Sequence, residues 1–346
     1  MQTPEKTAAT ESWSVTHAIS PEDRAVVAAT RAIVEPQKGL LRGVAARQPF
    51  DEIMGHVAAP NDVAYEADTI GGVPGWWCRP ANKQPAGTIL YLHGGWYVLG
   101  SAQAYRHFAG HIAARTGAEV FVPDYRLAPE HPFPAGLLDA QACYRGLIGR
   151  GIRRIAIAGD SAGGGLSLAL LSLLGTPENS GGVSPRAGMV LSPLTDLALS
   201  GHSWETRAAA DPYFTREQAV SLVSLYLGHH DPKDPLASPL YGNLATGAQR
   251  RESREAPPPA RRGAGLPPIR VHVGDDELLL DDSLRYVERA VAAGVDARVD
   301  IWEGLPHVFL SSVGQLAAQS YPGASIHVVH WLRFFRLGRA RPPTRH

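Results

Sequence analysis

The stretch IAIAGDSAGGGL, residues 155–166, is where one kind of regular structure gives way to another. Ile155 to Ala158 form an apolar run suited to a strand buried on both faces, and from Leu166 to Leu174 the apolar residues recur at helical spacing. Ser161 therefore sits in a tight turn from strand to helix. Gly159, Ser161 and Gly163 satisfy G-x-S-x-G, in which small neighbours let the chain turn sharply enough to project a serine hydroxyl from the top of a sheet. A phosphate cradle is the rival use for such glycines. It is disfavoured, because GDSAGGGLS lacks the lysine of a P-loop and no G-x-G-x-x-G occurs in the chain.

Outward from that turn, short β-like runs recur: VAYEA, VPGWWC, TILYLH, AEVFVPD, RIAIAG, GMVLSP, IRVHVG and ARVDIW, most of the later ones separated by helical stretches. About eight strands with interleaved helices predict an α/β fold, a mostly parallel sheet covered on both faces. Such sheets bind ligands beyond the carboxyl ends of their strands, which directs attention to His93, Asp124, Ser161, Pro193, Gly274 and Gly304 and the residues that follow them.

Two regions break the alternation, residues 1–60 and 197–244. Residues 1–18 read as polar and aperiodic. SPEDRAVVAATRAIV then supplies Ser20 as N-cap, Pro21 at the first helical position and two acids in the first turn, so a helix is predicted there. TREQAVSLVSLYL in the second region is also helical in pattern. Both regions are predicted to form a helical cap over the sheet's active edge, flanking a catalytic domain of residues 61–196 and 245–346. Residues 245–266 combine charge, consecutive prolines and glycine and read as a solvated insertion.

The 346 residues carry 33 Lys+Arg against 33 Asp+Glu, so no global field draws nucleic acid or an anionic membrane. No basic segment followed by an apolar stretch opens the chain, and no run of about 18 apolar residues occurs. Cytoplasmic location is the expectation, with no membrane partner. Cys78 and Cys143, the only two cysteines, are too few for a disulfide framework and are expected to stay reduced in the core.

Serine is a weak nucleophile near neutral pH and needs a histidine base held by a carboxylate. In the chain order serine, acid, histidine, His307 in GLPHVF follows the last strand, where Gly304 and Pro306 fix the loop's path. The acid should follow IRVHV in GDDELLLDDS. Asp275, Asp276, Glu277 and Asp281 compete there, and spacing does not choose among them. Asp281 and Asp282 suit the N-terminal turn of the helix DSLRYVERAVAAG, where the dipole favours negative charge. Donors for a tetrahedral oxyanion are expected from the glycine turn LHGGW and from the amide of Ala162 at the start of the helix after Ser161.

LYLHGGWYVLGS, VFVPDYRLAPEHPFPA, IAGDSAGGGL, LSPLTDL, VHVGDDELLLDDS and GLPHVF, in this order, resemble the hormone-sensitive-lipase type of α/β-hydrolase, bacterial esterases with an HGG motif. The resemblance covers residues 63–336. It implies an eight-stranded sheet with a cap, Ser161 as nucleophile and His307 as base. Members mostly carry D-P-L-x-D at the acid. Aligning its leucine and second acid on Leu279 and Asp281 puts Glu277 at the catalytic position, with Asp276 as runner-up. Gly94, Gly95 and Ala162 become the oxyanion donors, because Trp96 stands where a third small residue is usual and its bulk works against a glycine conformation. Trp96 and Tyr97 would narrow the acyl pocket, and Trp204, Tyr213 and Phe214 are the cap residues assigned to substrate. Asp124 and Glu130 would anchor the loop between them.

The implied reaction is hydrolysis of small, short-acyl esters through an acyl-enzyme, with no metal and no other cofactor. Two alternatives accompany it: a lactone hydrolase using the same triad, as in the similar monoterpene ε-lactone hydrolases, and a non-catalytic ligand-binding protein on the same scaffold. The implied partner is a small-molecule ester or lactone, and the assembly a homodimer.

Overall fold

The computed structural model describes residues 13–40, 42–81, 85, 87–244 and 265–309. Nine strands form one sheet: β1 (Ser14–His17), β2 (Val63–Ile70), β3 (Val73–Pro80), β4 (Thr88–Leu92), β5 (Glu119–Pro123), β6 (Ile155–Asp160), β7 (Gly188–Leu191), β8 (Ile269–Gly274) and β9 (Ala297–Trp302). Their spatial order is β1-β9-β8-β7-β6-β4-β5-β3-β2. All pairs from β1 to β5 are parallel, and β3 runs antiparallel to β5 and to β2. The helices are α1 (Pro21–Val34), α2 (Arg47–Gly55), α3 (Ala102–Thr116), α4 (Ala135–Gly149), α5 (Ser161–Leu173), α6 (Pro177–Ser180), α7 (Ser203–Thr206), α8 (Arg216–Leu227) and α9 (Leu280–Ala292).

The eight runs read from sequence all appear as strands. The ninth, β1, lies in the segment read as polar and aperiodic. Its four residues pair with β9 from Ser14 opposite Val299 to His17 opposite Trp302. A side-chain bond adds to the ladder, His17 Nε2 lying 2.8 Å from Asp300 Oδ1, and the His17 ring stacks on Trp302 at 4.3 Å. Four residues carry too little pattern to announce a strand; the long-range pairing makes it one.

Alternation along the central strands explains their uninterrupted apolar runs. Leu90, Leu92, Phe121, Ile155 and Ile157 join one core with α4, α5 and α9, whereas Ile89, Tyr91, Val120, Val122 and Ala158 join the other with α3. Ser20 caps α1 as expected, its hydroxyl accepting from the Asp23 amide at 3.1 Å. Residues 197–244 leave the sheet after β7 and return at β8, carrying α7 and α8. The insertion read over 245–266 lies outside the described residues except for its last two positions, as does the resemblance beyond 309. Among the described residues no helix is long and apolar enough to cross a membrane.

The turn between β6 and α5 is built by close approach. A Cβ on Gly163 would stand 2.1 Å from Leu92 O and 2.3 Å from His93 O, and one on Gly159 would stand 2.4 Å from Gly163 O. Only glycine lets the helix start this near β4. Gly163→Ala is therefore expected to destabilise the fold by about 2 kcal/mol or more, since backbone rather than a movable side chain blocks the methyl. A denaturant midpoint indistinguishable from that of the parent protein would contradict this packing account.

Candidate active site

Ser161 stands at the carboxyl end of β6 with φ +53°, a left-handed conformation that a non-glycine residue adopts only under local constraint. It opens α5, so the first amides of a buried, 13-residue helix point at the space beside its hydroxyl. His307 follows β9 in the loop that Gly304 begins. Its Nε2 lies 2.9 Å from Ser161 Oγ, and its Nδ1 lies 2.5 Å from Glu277 Oε2. With Nδ1–H donating to the carboxylate, Nε2 is left as the acceptor for the serine proton.

Of the four competing carboxylates, Glu277 alone meets the imidazole. It is fully buried, and its second oxygen accepts from Ser192 Oγ–H and the Gly274 amide, both at 2.7 Å. Ser192 in turn accepts from the Val308 amide at 3.0 Å, which ties the histidine loop to the acid's own partners. Asp275 caps the Gly304 amide, Asp276 faces Arg31 at 3.4 Å, and Asp281 accepts from the Ser203 amide. Asp282 lies in the first turn of α9 as expected, but it is buried, accepting from the Thr195 and Asp196 amides, and burial beside Asp196 pushes it up to about 8.

Burial opposes a charge on His307, but the Glu277 carboxylate, by its charge and its hydrogen bond, with further help from Asp211 and Asp160, holds the imidazole above the ordinary histidine value. Asp160 precedes the serine and is itself buried. Its Oδ1 accepts from Tyr91 OH at 2.7 Å and from the Gly94 amide at 3.0 Å, and its Oδ2 from Tyr105 OH at 3.1 Å. Burial raises it to about 6 against the pull of these donors and of His307.

That contact corrects one expectation. Gly94 N–H is donated to Asp160, so it is not free to meet an oxyanion. Among the described residues no acceptor takes the amides of Gly95, Trp96 or Ala162. Trp96 is not barred from the turn by its size: at φ +58° it occupies the left-handed helical well, which costs an L-residue on the order of 1–3 kcal/mol but does not require glycine. Tyr97 follows at φ +62°. Bonds from the Val98 and Leu99 amides to Gly95 O brace this turn.

The residues assigned to substrate separate into two groups. Phe214 packs edge-on against His307 and against Trp96, each at 5.3 Å, so its ring borders the imidazole and Trp96 lies behind it. Tyr213 lies beside Phe214, at 6.0 Å between ring centroids. Tyr97 stacks on Tyr226 at 3.8 Å and the Trp204 amide donates to Gly201 O; Tyr97 and Trp204 are both almost fully buried. Asp124 accepts from the Ala102 amide at the start of α3, and Glu130 receives a two-pronged bond from Arg47, whose remaining donors hold Val98 O and Ala128 O.

Residues 89–311 match the alpha/beta hydrolase fold family. A bacterial esterase described as a member of the hormone-sensitive lipase family is 36% identical, covers 92% of this chain and 99% of its own, and superposes with a TM-score of 0.76. This chain is an α/β hydrolase of the hormone-sensitive-lipase type. An acetyl-hydrolase of Streptomyces hygroscopicus is 37% identical over 72% of this chain and 75% of its own length. EstE7, a hormone-sensitive lipase homologue from a metagenome library, is 31% identical with a TM-score of 0.76, covering 92% of this chain and 99% of its own.

Three side chains that border the site in this hydrolase escaped the sequence reading: Asp160, Ser192 and Asp211. Asp160 was in view as the neighbour of the serine, and its burial followed from its place at the end of a buried strand. Ser192 and Asp211 reach the site only through contacts 67 to 116 residues away in the chain.

Proposed function

We propose that this hydrolase is a serine carboxylesterase acting on small, short-acyl esters, with Ser161 as nucleophile, His307 as general base and Glu277 as the carboxylate that orients it. That the chain is a carboxylic ester hydrolase follows from its family and from relatives named esterase and acetyl-hydrolase. The observation that carries the mechanism is the continuous chain of hydrogen bonds Glu277–His307–Ser161, at 2.5 and 2.9 Å, in a buried site. It also favours catalysis over mere ligand binding, since a binding protein has no use for an aligned base.

Acylation begins as His307 Nε2 takes the proton of Ser161 Oγ while Oγ attacks the ester carbonyl. The carbonyl oxygen gains the negative charge, and the amides of Gly95, Trp96 and Ala162 receive it; each such donor contributes about 3 kcal/mol to stabilising the transition state. Collapse breaks the C–O bond, and the imidazolium returns its proton to the departing alkoxide. Water, deprotonated by the same imidazole, then releases the acid. These steps call for no metal and no organic cofactor. Asp160 serves them indirectly, by fixing Gly94 so that the next two amides face the carbonyl.

Phe214 beside the imidazole, with Trp96 packed against it, supports a small acyl group, in keeping with the acetyl-hydrolase relative. The helices α1 and α2 and residues 197–244 act as the cap, and the second of these segments brings Phe214 there. The two buried, unpaired cysteines suit the cytoplasm. A p-nitrophenyl ester series from acetate to dodecanoate, run with lactones of matched size, tests the reading. Highest kcat/KM at two to four carbons, and a mass increase of one acyl group on acid-quenched protein, are expected; turnover without any acyl adduct, or a maximum at long chains, would refute it.

A further inference from the structure

Asp211 is 1% exposed, yet it sits in the excursion between β7 and β8 and not in the sheet. Its Oδ1 accepts from the amides of Tyr213 and Phe214 at 2.8 and 3.0 Å, a local turn of the kind aspartate often makes. The other oxygen does something that a local turn does not require. Oδ2 accepts at 3.0 Å from the amide of Leu278, the residue directly after Glu277. One carboxylate thus joins the segment whose Phe214 ring lies against His307 to the loop that carries the acid.

We propose that Asp211 is a positioning residue of the active site, locking the Phe214 segment onto the Glu277 loop and so holding the Phe214 ring against the imidazole of His307. This rests on the triad reading given above. Among the described residues, no arginine or lysine side chain hydrogen-bonds this carboxylate; its three partners are amides. Burial keeps bulk water from this carboxylate, and the nearby Lys38 ammonium bonds the Asp211 carbonyl oxygen and not the carboxylate. Against the burial that opposes a charge on His307, Asp211 adds, after Glu277, to the acids that favour the imidazolium.

The charged groups around this carboxylate set the sign of a pH effect, and they include Lys38, whose Nζ donates to the Asp211 carbonyl at 2.5 Å. Glu277, Asp211 and Asp160 act on His307. Asp211 also acts on Asp276, which Asp275 opposes and which Arg31 and Arg207 favour as an anion. Neutralising Asp211 removes stabilisation from the imidazolium, so the base loses its proton at lower pH. The acid limb of kcat/KM must then move down, not up.

The test compares Asp211→Asn and Asp211→Glu with the parent protein on p-nitrophenyl acetate and p-nitrophenyl hexanoate across pH, with thermal unfolding as a fold check. In Asp211→Asn the acid limb is expected to fall by roughly half a pH unit or more, with kcat down about three- to tenfold. In Asp211→Glu the limb should stay near its parent position, because the charge remains, while the hexanoate-to-acetate ratio changes, because the longer arm cannot hold Phe214 and Leu278 in the same geometry. A folded Asp211→Asn with unchanged limb and ratio would overturn the proposal; if that variant does not fold, an unchanged ratio in Asp211→Glu would do so. Parent protein without esterase activity, or activity surviving loss of Ser161, would instead sink the triad reading. The imidazole titration followed by NMR still reads the charge of Asp211 in that case, since it needs no turnover.

Discussion

Ser161→Ala is expected to lower kcat on p-nitrophenyl acetate by on the order of 10⁶-fold, leaving only the rate that bound donors and approximation supply. The size of the loss follows from the chemistry: without Oγ there is no acyl-enzyme, and His307 has no proton to take. Binding should survive, because the oxyanion amides and the rings of Trp96 and Phe214 are untouched. Stability should also survive, since alanine at φ +53° carries the same Cβ penalty as serine. Ser161→Gly separates the two effects. It is equally inactive but relieves the left-handed strain, and should unfold later by about 1 kcal/mol. Substantial turnover in either variant would remove Ser161 from the mechanism, and an unchanged melting temperature in the glycine variant would mean that the turn stores no strain.

How far the sequence could be read follows from which interactions are local. The strand ends and the turn around Ser161 were legible because burial on both faces and the approach of α5 to β4 leave marks within a dozen residues: apolar runs, then glycines. His307 was legible by position, after the last strand. The acid was not legible from chemistry alone, because Asp275, Asp276, Glu277 and Asp281 differ in the direction each side chain takes, and direction is set by partners elsewhere: Gly304, Arg31, Ser192 and Ser203. Only the family's motif picked out Glu277.

The glycine turn after β4 shows the same division. HGG announced a glycine turn, but which amides remain free depends on Asp160, 66 residues further along, which takes the amide of Gly94. Strand β1 depends wholly on β9 for its existence. The aromatic residues also divided by partner: Phe214 meets His307 and Trp96, whereas Tyr97 stacks on Tyr226. Residue type set the candidates, and distant contacts chose among them.

That choice gives the second large effect. Glu277→Gln is expected to lower kcat by on the order of 10⁴-fold, whereas Asp276→Asn should stay within about threefold of the parent. Three donors converge on the Glu277 carboxylate: His307 Nδ1–H, Ser192 Oγ–H and the Gly274 amide. A carboxylate accepts from all three. Glutamine offers one acceptor oxygen and one amino group. If its oxygen keeps Ser192 and Gly274, its amino group faces Nδ1, which must then accept; the proton moves to Nε2, and the imidazole points a donor at Ser161 where catalysis needs an acceptor. The pH profile carries a second signature. Burial still disfavours the imidazolium after the charge of Glu277 is gone, so His307 should lose its proton at lower pH than in the parent protein and the acid limb of the residual activity should shift down. Asp276, partly exposed and facing Arg31, touches none of these groups. A steep loss in Asp276→Asn together with near-parent activity in Glu277→Gln would reverse the assignment of the acid, and no rearrangement of the hydrogen bonds around residue 277 could rescue it.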